Sequence, residues 1–318
     1  VVETDIHWHS LEEQLKFPQI LNKENLDLVH FPYFSHPISY NRPFIITIHD
    51  LIVNHFPTGK ASTLPYPLYL LKRFGYNLVM EHAIKNSQRI IVPLNSVRED
   101  LVDTYNVSRD KIRVTNEGVE SRIKNQESRA KNTKYKILNT KYFLYVGNAY
   151  PHKNLEFLIE DFKEFKKELK DDVSLVLVGK GDYFYKRLRK KIEKEKIENI
   201  VFKHDIKDEE LFSLYSNAIA FVSASKMEGF GLPPLEAMSS SCLVLLSNIA
   251  AFKEVCEDAA IYFDLNSINS LREKMLDIYK LDGKEEEIHI KKGLSCVKNF
   301  SWKKMAEETL KVYKISNI

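Results

Sequence analysis

Residues 142–181 read YFLYVGNAYPHKNLEFLIEDFKEFKKELKDDVSLVLVGKG, and this stretch decides the fold. Tyr142–Val146 and Val173–Val178 are short apolar runs, each closed by a glycine, Gly147 and Gly179. That is the pattern of a strand buried on both faces. Between them, Asn154–Leu169 carries Leu155, Leu158, Ile159, Phe162 and Phe165 at helical spacing. Strand, helix, strand in this order is a βαβ unit, and its strands run parallel.

Working outward, the pattern repeats. Tyr183–Lys196 and Asp208–Ser216 read as further helices, the second with Asp208 as its N-cap. Asn199–Lys203, Ala218–Val222, Cys242–Ser247 and Ala259–Phe263 read as further strands. Six strands alternating with helices imply a doubly wound α/β domain. Upstream, Asp27–Phe31, Phe44–Ile48, Arg89–Val92 and Ile112–Thr115 read as strands, and Ser10–Leu21, Tyr66–Ala83 and Ser96–Tyr105 as helices. Ser96-x-x-Glu99 has capping-box spacing. The polar run Ser121–Thr140 is the linker candidate. A length of 318 residues fits two domains at about 150 residues each.

In a sheet of order 3-2-1-4-5-6, ligands bind where the winding reverses, at the carboxyl ends of strands 1 and 4. Those loops are Gly147–Asn154 and Ser223–Gly231. The second runs into Leu232-Pro233-Pro234-Leu235-Glu236, and proline suits a first helical turn. A helix N-terminus with exposed amides favours an anion such as phosphate. Lys153 and His152 could face the same crevice, with Glu228 and Glu236 flanking the turn. Carboxylates accept hydrogen bonds from paired sugar hydroxyls. Phosphate donors beside hydroxyl acceptors describe a nucleotide-sugar pocket.

Composition narrows the alternatives. Apolar residues at 44% and charged residues at 29% are ordinary for a folded globular chain. The net charge of +3 is too small to argue for nucleic acid, and the basic helix Tyr183–Lys196 is interleaved with glutamates. No apolar run approaches the ~18 residues of a spanning helix. The opening VVETDIHWHS does not read as a secretory signal. Cys242, Cys256 and Cys296 are odd in number and lack CxxC spacing, which fits a reduced, cytoplasmic location. The sequence contains no Asp-x-Asp, so no metal is expected of that kind of site. The helix Tyr66–Ala83, with Lys72 and Arg73 beside Tyr69, Leu70, Leu71 and Phe74, reads first as core-packed. Its second reading is a peripheral contact with a membrane.

These residues resemble the retaining glycosyltransferases of the GT-B fold, the large family 4 (glycosyl transferases group 1), with a lean toward its mannosyltransferases. The resemblance rests on YFLYVGNAYPHKNLEFLIEDF, VSLVLVGKGD, LFSLYSNAIAFVSASKMEGFGLPPLEAM, with Glu228 and Glu236, and EVCEDAAIYFD. DLVHFPYF, PFIITIHDL, NSVREDLVDTY, KIRVTNEGVE and the terminal FSWKKMAEETLKVY extend it more loosely.

The resemblance implies two Rossmann-like domains facing across a cleft. Residues 1–128 would be the acceptor side, 129–300 the donor-binding domain, and 301–318 a helix crossing back to the first domain. The family's first domain usually begins earlier than Val1 does, so roughly 50–70 residues of an ordinary-sized domain are expected to be missing. The chain as given is then expected to be an incomplete catalyst.

The resemblance also implies roles. Glu228 would lie against the donor sugar, with Gly229, Phe230, Gly231 and Leu232 amides around its hydroxyls and phosphate. Glu236 would bind the ribose. Lys153 would neutralise the leaving diphosphate in place of a metal. Gly147, Asn148 and His152 would belong to the phosphate loop, and Asp205 and Ile206 would edge the base. His49, in Thr47-Ile48-His49-Asp50, would approach donor sugar and acceptor. Many members carry Arg where Asn148 stands, so His152 or Lys226 is expected to supply the cation. The expected activity is transfer of a hexose, with retention, from a nucleotide diphosphate sugar to a glycan or lipid-linked acceptor in surface-polysaccharide synthesis, with no cofactor, no nucleic-acid partner and a cytoplasmic location at the inner membrane face. The alternatives are a GT-B sugar-nucleotide epimerase and an inactive nucleotide-sugar-binding subunit.

Overall fold

The computed structural model describes residues 1–57, 64–120, 140–169 and 171–316. The backbone divides into two units, Val1–Asn116 with Lys303–Ile318, and Glu117–Trp302. The linker run, apart from Thr140, lies outside the described residues, and so does a boundary at 128/129.

The first unit holds a parallel sheet of β1 (Val29–Phe31), β2 (Phe44–Thr47), β3 (Arg89–Val92) and β4 (Ile112–Val114), in that spatial order. Its helices are α1 (Leu11–Lys23), α2 (Ile52–His55), α3 (Tyr66–Asn86) and α4 (Asn95–Tyr105). Ser10 caps α1, its side chain accepting from the Glu13 amide at 3.1 Å. The expected box at Ser96 is not formed. α4 starts at Asn95, which puts Ser96 inside the helix, and Glu99 pairs with Arg98 and Arg109. The core-packed reading of α3 also fails over most of its length. Only Met80, Ala83 and Ile84 are buried, while Tyr66, Leu68, Leu70, Leu71, Phe74 and Leu78 are exposed. The apolar positions run around the whole helix, and packing covers only its C-terminal end.

In the second unit β5 (Lys141–Val146), β6 (Val173–Val178), β7 (Ile200–Lys203), β8 (Ala220–Ser223), β9 (Val244–Ser247) and β10 (Ile261–Phe263) form one parallel sheet, ordered β10-β9-β8-β5-β6-β7. Read from the other edge this is 3-2-1-4-5-6, the doubly wound order. The helices are α5 (Leu155–Glu168), α6 (Tyr183–Glu195), α7 (Asp208–Asn217), α8 (Leu232–Ser239), α9 (Ala250–Cys256), α10 (Ser270–Tyr279) and α11 (Gly283–Val297). All five apolar positions read on α5 are buried, in one core with Phe143, Leu175, Leu177 and Val222. Asp182 caps α6 by accepting from two amides. Asp208 is the first residue of α7 rather than its cap, which is Lys207, so it acts on the helix dipole instead.

The last helix, α12 (Trp302–Ser316), belongs to the first unit from Lys303 onward. Val312 packs with Ile45 and Ile91. Tyr313 Oη lies 2.7 Å from His30 Nδ1, and His30 Nε2 lies 2.8 Å from Thr47 Oγ1. Burial pushes the His30 imidazole down to about 4, so the ring that ties α12 to β1 and β2 is neutral at pH 7.

Candidate active site

β5 and β8 are neighbours, and the chain winds away from them in opposite directions. The loops at their carboxyl ends therefore diverge and leave a crevice. On the β5 side, the Gly147 amide donates to Val178 O at 2.9 Å, and the Tyr185 hydroxyl donates to Gly147 O at 2.8 Å. A Cβ on Gly179 would overlap both Gly147 O and the Tyr185 ring. The two glycine loops thus touch backbone to backbone. Asn148 closes a tight turn, its Oδ1 accepting from the Tyr150 amide at 3.3 Å. A single 3₁₀ turn, Pro151–Lys153, then delivers Lys153, and Asn154 in the left-handed region starts α5.

On the β8 side the loop reaches Glu228 and turns at Gly229, Phe230 and Gly231 into α8. Gly231 is its N-cap, with φ +104°, and a Cβ there would meet the Phe252 ring at 3.1 Å. Gly229 and Phe230 are buried, and Leu232 opens the helix. The two loops are joined where the Lys226 amide donates to His152 O at 2.8 Å.

The centre of the crevice is an ion pair. Lys153 Nζ lies 2.7 Å from both Glu228 oxygens, and the two side chains are only 16% and 12% exposed. Ser225 Oγ donates to Glu228 Oε1 at 2.6 Å, and Ser223 Oγ lies 3.0 Å from Ser225 Oγ. Ser247 Oγ donates to Ser225 O at 2.6 Å, so β8 and β9 both fix the carboxylate's base. Sequence reasoning missed Ser225. The Ser-x-x-Glu spacing of Ser225 and Glu228 was the available signal.

Glu236 sits on α8 and accepts from the Tyr215 hydroxyl at 3.0 Å. Asp205 and Ile206 follow β7, beside His204, whose Nδ1 donates to Gly179 O at 2.8 Å. The expected donor-site residues of this unit therefore gather at the carboxyl ends of β5 to β8.

One expectation is corrected. His152 is buried, and desolvation followed by repulsion from Lys153 pushes its imidazole down to about 4. It is neutral at pH 7 and does not supply a cation there, whereas Lys226 is exposed. His49 lies in the first unit, just beyond β2. Its Nε2 donates to Pro32 O at 3.0 Å, and its ring stacks 6.2 Å from Tyr33. Among the described residues no group of three His, Cys, Asp or Glu side chains could hold a metal ion. No helix among them is long and apolar enough to cross a membrane.

This geometry can be set beside known proteins. Residues 124–294 match the family described as Glycosyl transferases group 1, and residues 4–122 match Glycosyltransferase Family 4. The O-antigen chain mannosyltransferase RfbU of Salmonella typhimurium is 28% identical over 86% of this chain and 69% of its own. The O-antigen chain mannosyltransferase B of Escherichia coli is 29% identical over 91% of this chain and 74% of its own. A crystal structure of a glycosyltransferase from Rickettsia africae superposes with a TM-score of 0.72 at 20% identity, covering 99% of this chain and 84% of the other, a likeness of fold.

Proposed function

This chain belongs to the glycosyl transferases group 1 family, and we propose that it transfers mannose, with retention, from a nucleotide diphosphate sugar to a glycan or lipid-linked acceptor during surface-polysaccharide synthesis. The buried Lys153–Glu228 pair at the α8 N-terminus carries the reading. It holds a cation where a diphosphate would leave and a carboxylate where positive charge would develop. The mannosyltransferase names of the two relatives favour mannose. None of the relatives reported above is named an epimerase or a binding subunit.

On this reading the bond between the anomeric carbon and the phosphate oxygen breaks, and its electron pair stays on the diphosphate. Lys153 and the amides of Gly229–Leu232 hold that charge, which is the place a metal would take elsewhere. The acceptor hydroxyl attacks from the face the diphosphate leaves, and its proton passes to a phosphate oxygen. No enzymic nucleophile is needed, unlike the two-carboxylate route of retaining glycosidases. Glu236 holds the ribose, and Asp205 and Ile206 edge the base.

We place the protein in the cytoplasm at the inner membrane face. The exposed Tyr66, Leu68, Leu71 and Phe74 of α3, beside Lys72 and Arg73, support a peripheral contact there.

The test is a thermal-shift panel of GDP-, UDP- and dTDP-sugars, with and without EDTA, followed by radiolabelled transfer and NMR of the product linkage. GDP-mannose should raise the midpoint, EDTA should not remove the shift, and the linkage should be α. A β linkage, or binding restored only by Mg²⁺ or Mn²⁺, overturns the mechanism.

A further inference from the structure

Two tyrosine hydroxyls stand beneath the loop that follows β5. Tyr145 and Tyr185 are each only 1% exposed and belong to the core of the second unit. The Tyr145 hydroxyl donates to Asn148 O at 2.7 Å. The Tyr185 hydroxyl lies 2.8 Å from Gly147 O and 3.0 Å from Val178 O, with a single proton to share between them. Burial, the largest influence on each, pushes both phenols up, so both remain donors at pH 7. The loop lies close over them. A Cβ on Gly147 would stand 2.8 Å from the Tyr145 oxygen, and Gly147 takes φ +152°. One buried hydroxyl on one carbonyl is ordinary satisfaction of a polar tip. Two of them on consecutive carbonyls fix the orientation of the loop's peptide planes.

The consequence falls on the amides. No described peptide bond is cis, and a planar trans peptide sets each C=O antiparallel to the next N–H. Gly147 O faces the β6 side, where a Cβ on Gly179 would overlap it, so the Asn148 N–H faces the opposite side, toward β8. Asn148 O faces Tyr145 in the core, so the Ala149 N–H faces away from the core. The Tyr150 amide, next in line, is taken by Asn148 Oδ1 at 3.3 Å. The amides of Asn148 and Ala149 have no partner among the described residues. Successive unpaired amides in a turn make a concavity that binds anions. The adjoining loops carry Lys153, Lys180 and Lys226 against Glu228 and Asp182, so their summed charge is positive. Glu228 is already engaged by Lys153, and Asp182 by two amides of α6.

We propose that Tyr145 and Tyr185 are positioning residues for a phosphate group of the nucleotide: their hydroxyls turn two carbonyls inward, so that the Asn148 and Ala149 amides take the phosphate oxygens. This rests on the nucleotide-sugar reading above and adds to it two residues that do not touch the ligand. The backbone then supplies the donors that an arginine side chain at position 148 would otherwise supply, and the Asn148 side chain is spent on shaping the turn. With both carbonyls turned inward, this stretch of backbone offers donors alone. Phosphate oxygens accept and do not donate, so they match it. A sugar hydroxyl both donates and accepts, and its proton would find no acceptor in these two peptides.

Calorimetry on the full chain with GDP, guanosine and inorganic pyrophosphate, together with amide NMR spectra of protein labelled at alanine and asparagine, tests this. Tyr145→Phe and Tyr185→Phe should each weaken GDP and pyrophosphate about tenfold, the scale of one hydrogen bond to a charged group, and leave guanosine unchanged. Pyrophosphate should shift the Asn148 and Ala149 amide resonances in wild type, and shift them less in either variant. Each variant also leaves a carbonyl without its hydroxyl, so its melting temperature should fall. Tyr142→Phe is the control. It removes a buried hydroxyl bond to Leu214 O at 2.9 Å, also made from β5, and should lower the melting temperature with GDP affinity unchanged. Affinities for GDP and pyrophosphate equal to wild type in both variants, or Asn148 and Ala149 resonances that do not respond to pyrophosphate, overturn the positioning role. GDP weakened as much by Tyr142→Phe as by the other two assigns the effect to stability and overturns it as well. Pyrophosphate binding that depends on Tyr145 and Tyr185, in a protein that binds neither GDP nor guanosine, supports the positioning of a phosphate and overturns the nucleotide reading instead.

Discussion

Replacing Glu228 by Gln is expected to tighten binding of a nucleoside diphosphate while it slows transfer. Lys153 is committed to both Glu228 oxygens at 2.7 Å. A diphosphate must draw the ammonium away from that pairing. Hydrogen bonds to a charged group contribute about 1.5–3 kcal/mol net. Glutamine keeps one oxygen for Ser225 and Lys153, but its amide group faces the ammonium donor to donor. About half the clamp is lost, so GDP should bind about 1 kcal/mol more tightly, roughly fivefold to tenfold. Turnover should fall about a hundredfold, because the carboxylate that faces the developing positive charge is gone. Lys153→Ala should behave differently. It strands a carboxylate only 12% exposed, so it should cost about 3 kcal/mol of stability and weaken GDP far more than guanosine. Calorimetry with GDP and guanosine, and urea unfolding, supply the readouts. Weaker GDP binding by Glu228→Gln refutes the idea that this pair competes with the ligand.

Three further outcomes are expected. Glu236→Ala should weaken donor and nucleotide binding by about 1–3 kcal/mol for lost charged hydrogen bonds with kcat nearly unchanged; a pure kcat effect in steady-state kinetics refutes the ribose role. Gly179→Ala should destabilise the second unit by about 3 kcal/mol or more, since its Cβ meets backbone and a packed ring; a melting temperature equal to wild type refutes the close approach. His36 and His152 are both pushed down to about 4 by burial from 6.5, so the unfolded chain binds more protons between those values. Their contribution is fully present above pH 6.5 and is lost as pH falls toward 4, about 2 kcal/mol each at pH 5. His152→Asn should therefore lose less urea stability than wild type between pH 7.5 and pH 5, and an equal loss refutes the assignment.

The second unit was legible because its signals were local. Leu155, Leu158, Ile159, Phe162 and Phe165 needed only helical spacing to mark a buried face. The strand order followed from connection rules once the strands were found. Capping was legible in principle and was misread in practice. Ser96-x-x-Glu99 has the right letters in the wrong place, because the helix begins at Asn95. Ser10-x-x-Glu13 has the same letters and does form a cap, with Glu13 reaching past it to the His9 amide. His152 looked like a cation because sequence carries charge type but not burial. α3 looked like core because apolar letters do not say which part of a helix is covered. The Lys153–Glu228 pair joins residues 75 apart in sequence, and no periodicity reports such a contact.

Glu236 lies on α8 and Glu228 in the loop before it, a difference that taken alone would make Glu236 the more rigid of the two. The hydrogen bonds remove that distinction. Ser225, just past the end of β8, fixes Glu228, and Ser247 at the end of β9 fixes the backbone of Ser225. What separates the glutamates is the partner each holds. Glu236 faces a neutral tyrosine hydroxyl, so its charge is available to ribose hydroxyls from the start. Glu228 faces an ammonium, so much of its field is cancelled while that pair holds. On the proposed reaction, Lys153 turns toward the leaving diphosphate as the anomeric bond breaks. The field of Glu228 is uncovered at the moment positive charge grows on the sugar. An interaction that strengthens along the reaction lowers the barrier, whereas one already complete in the bound state only tightens binding. On that proposal, the lysine beside the loop glutamate ties it to turnover, and the tyrosine beside the helix glutamate ties it to affinity.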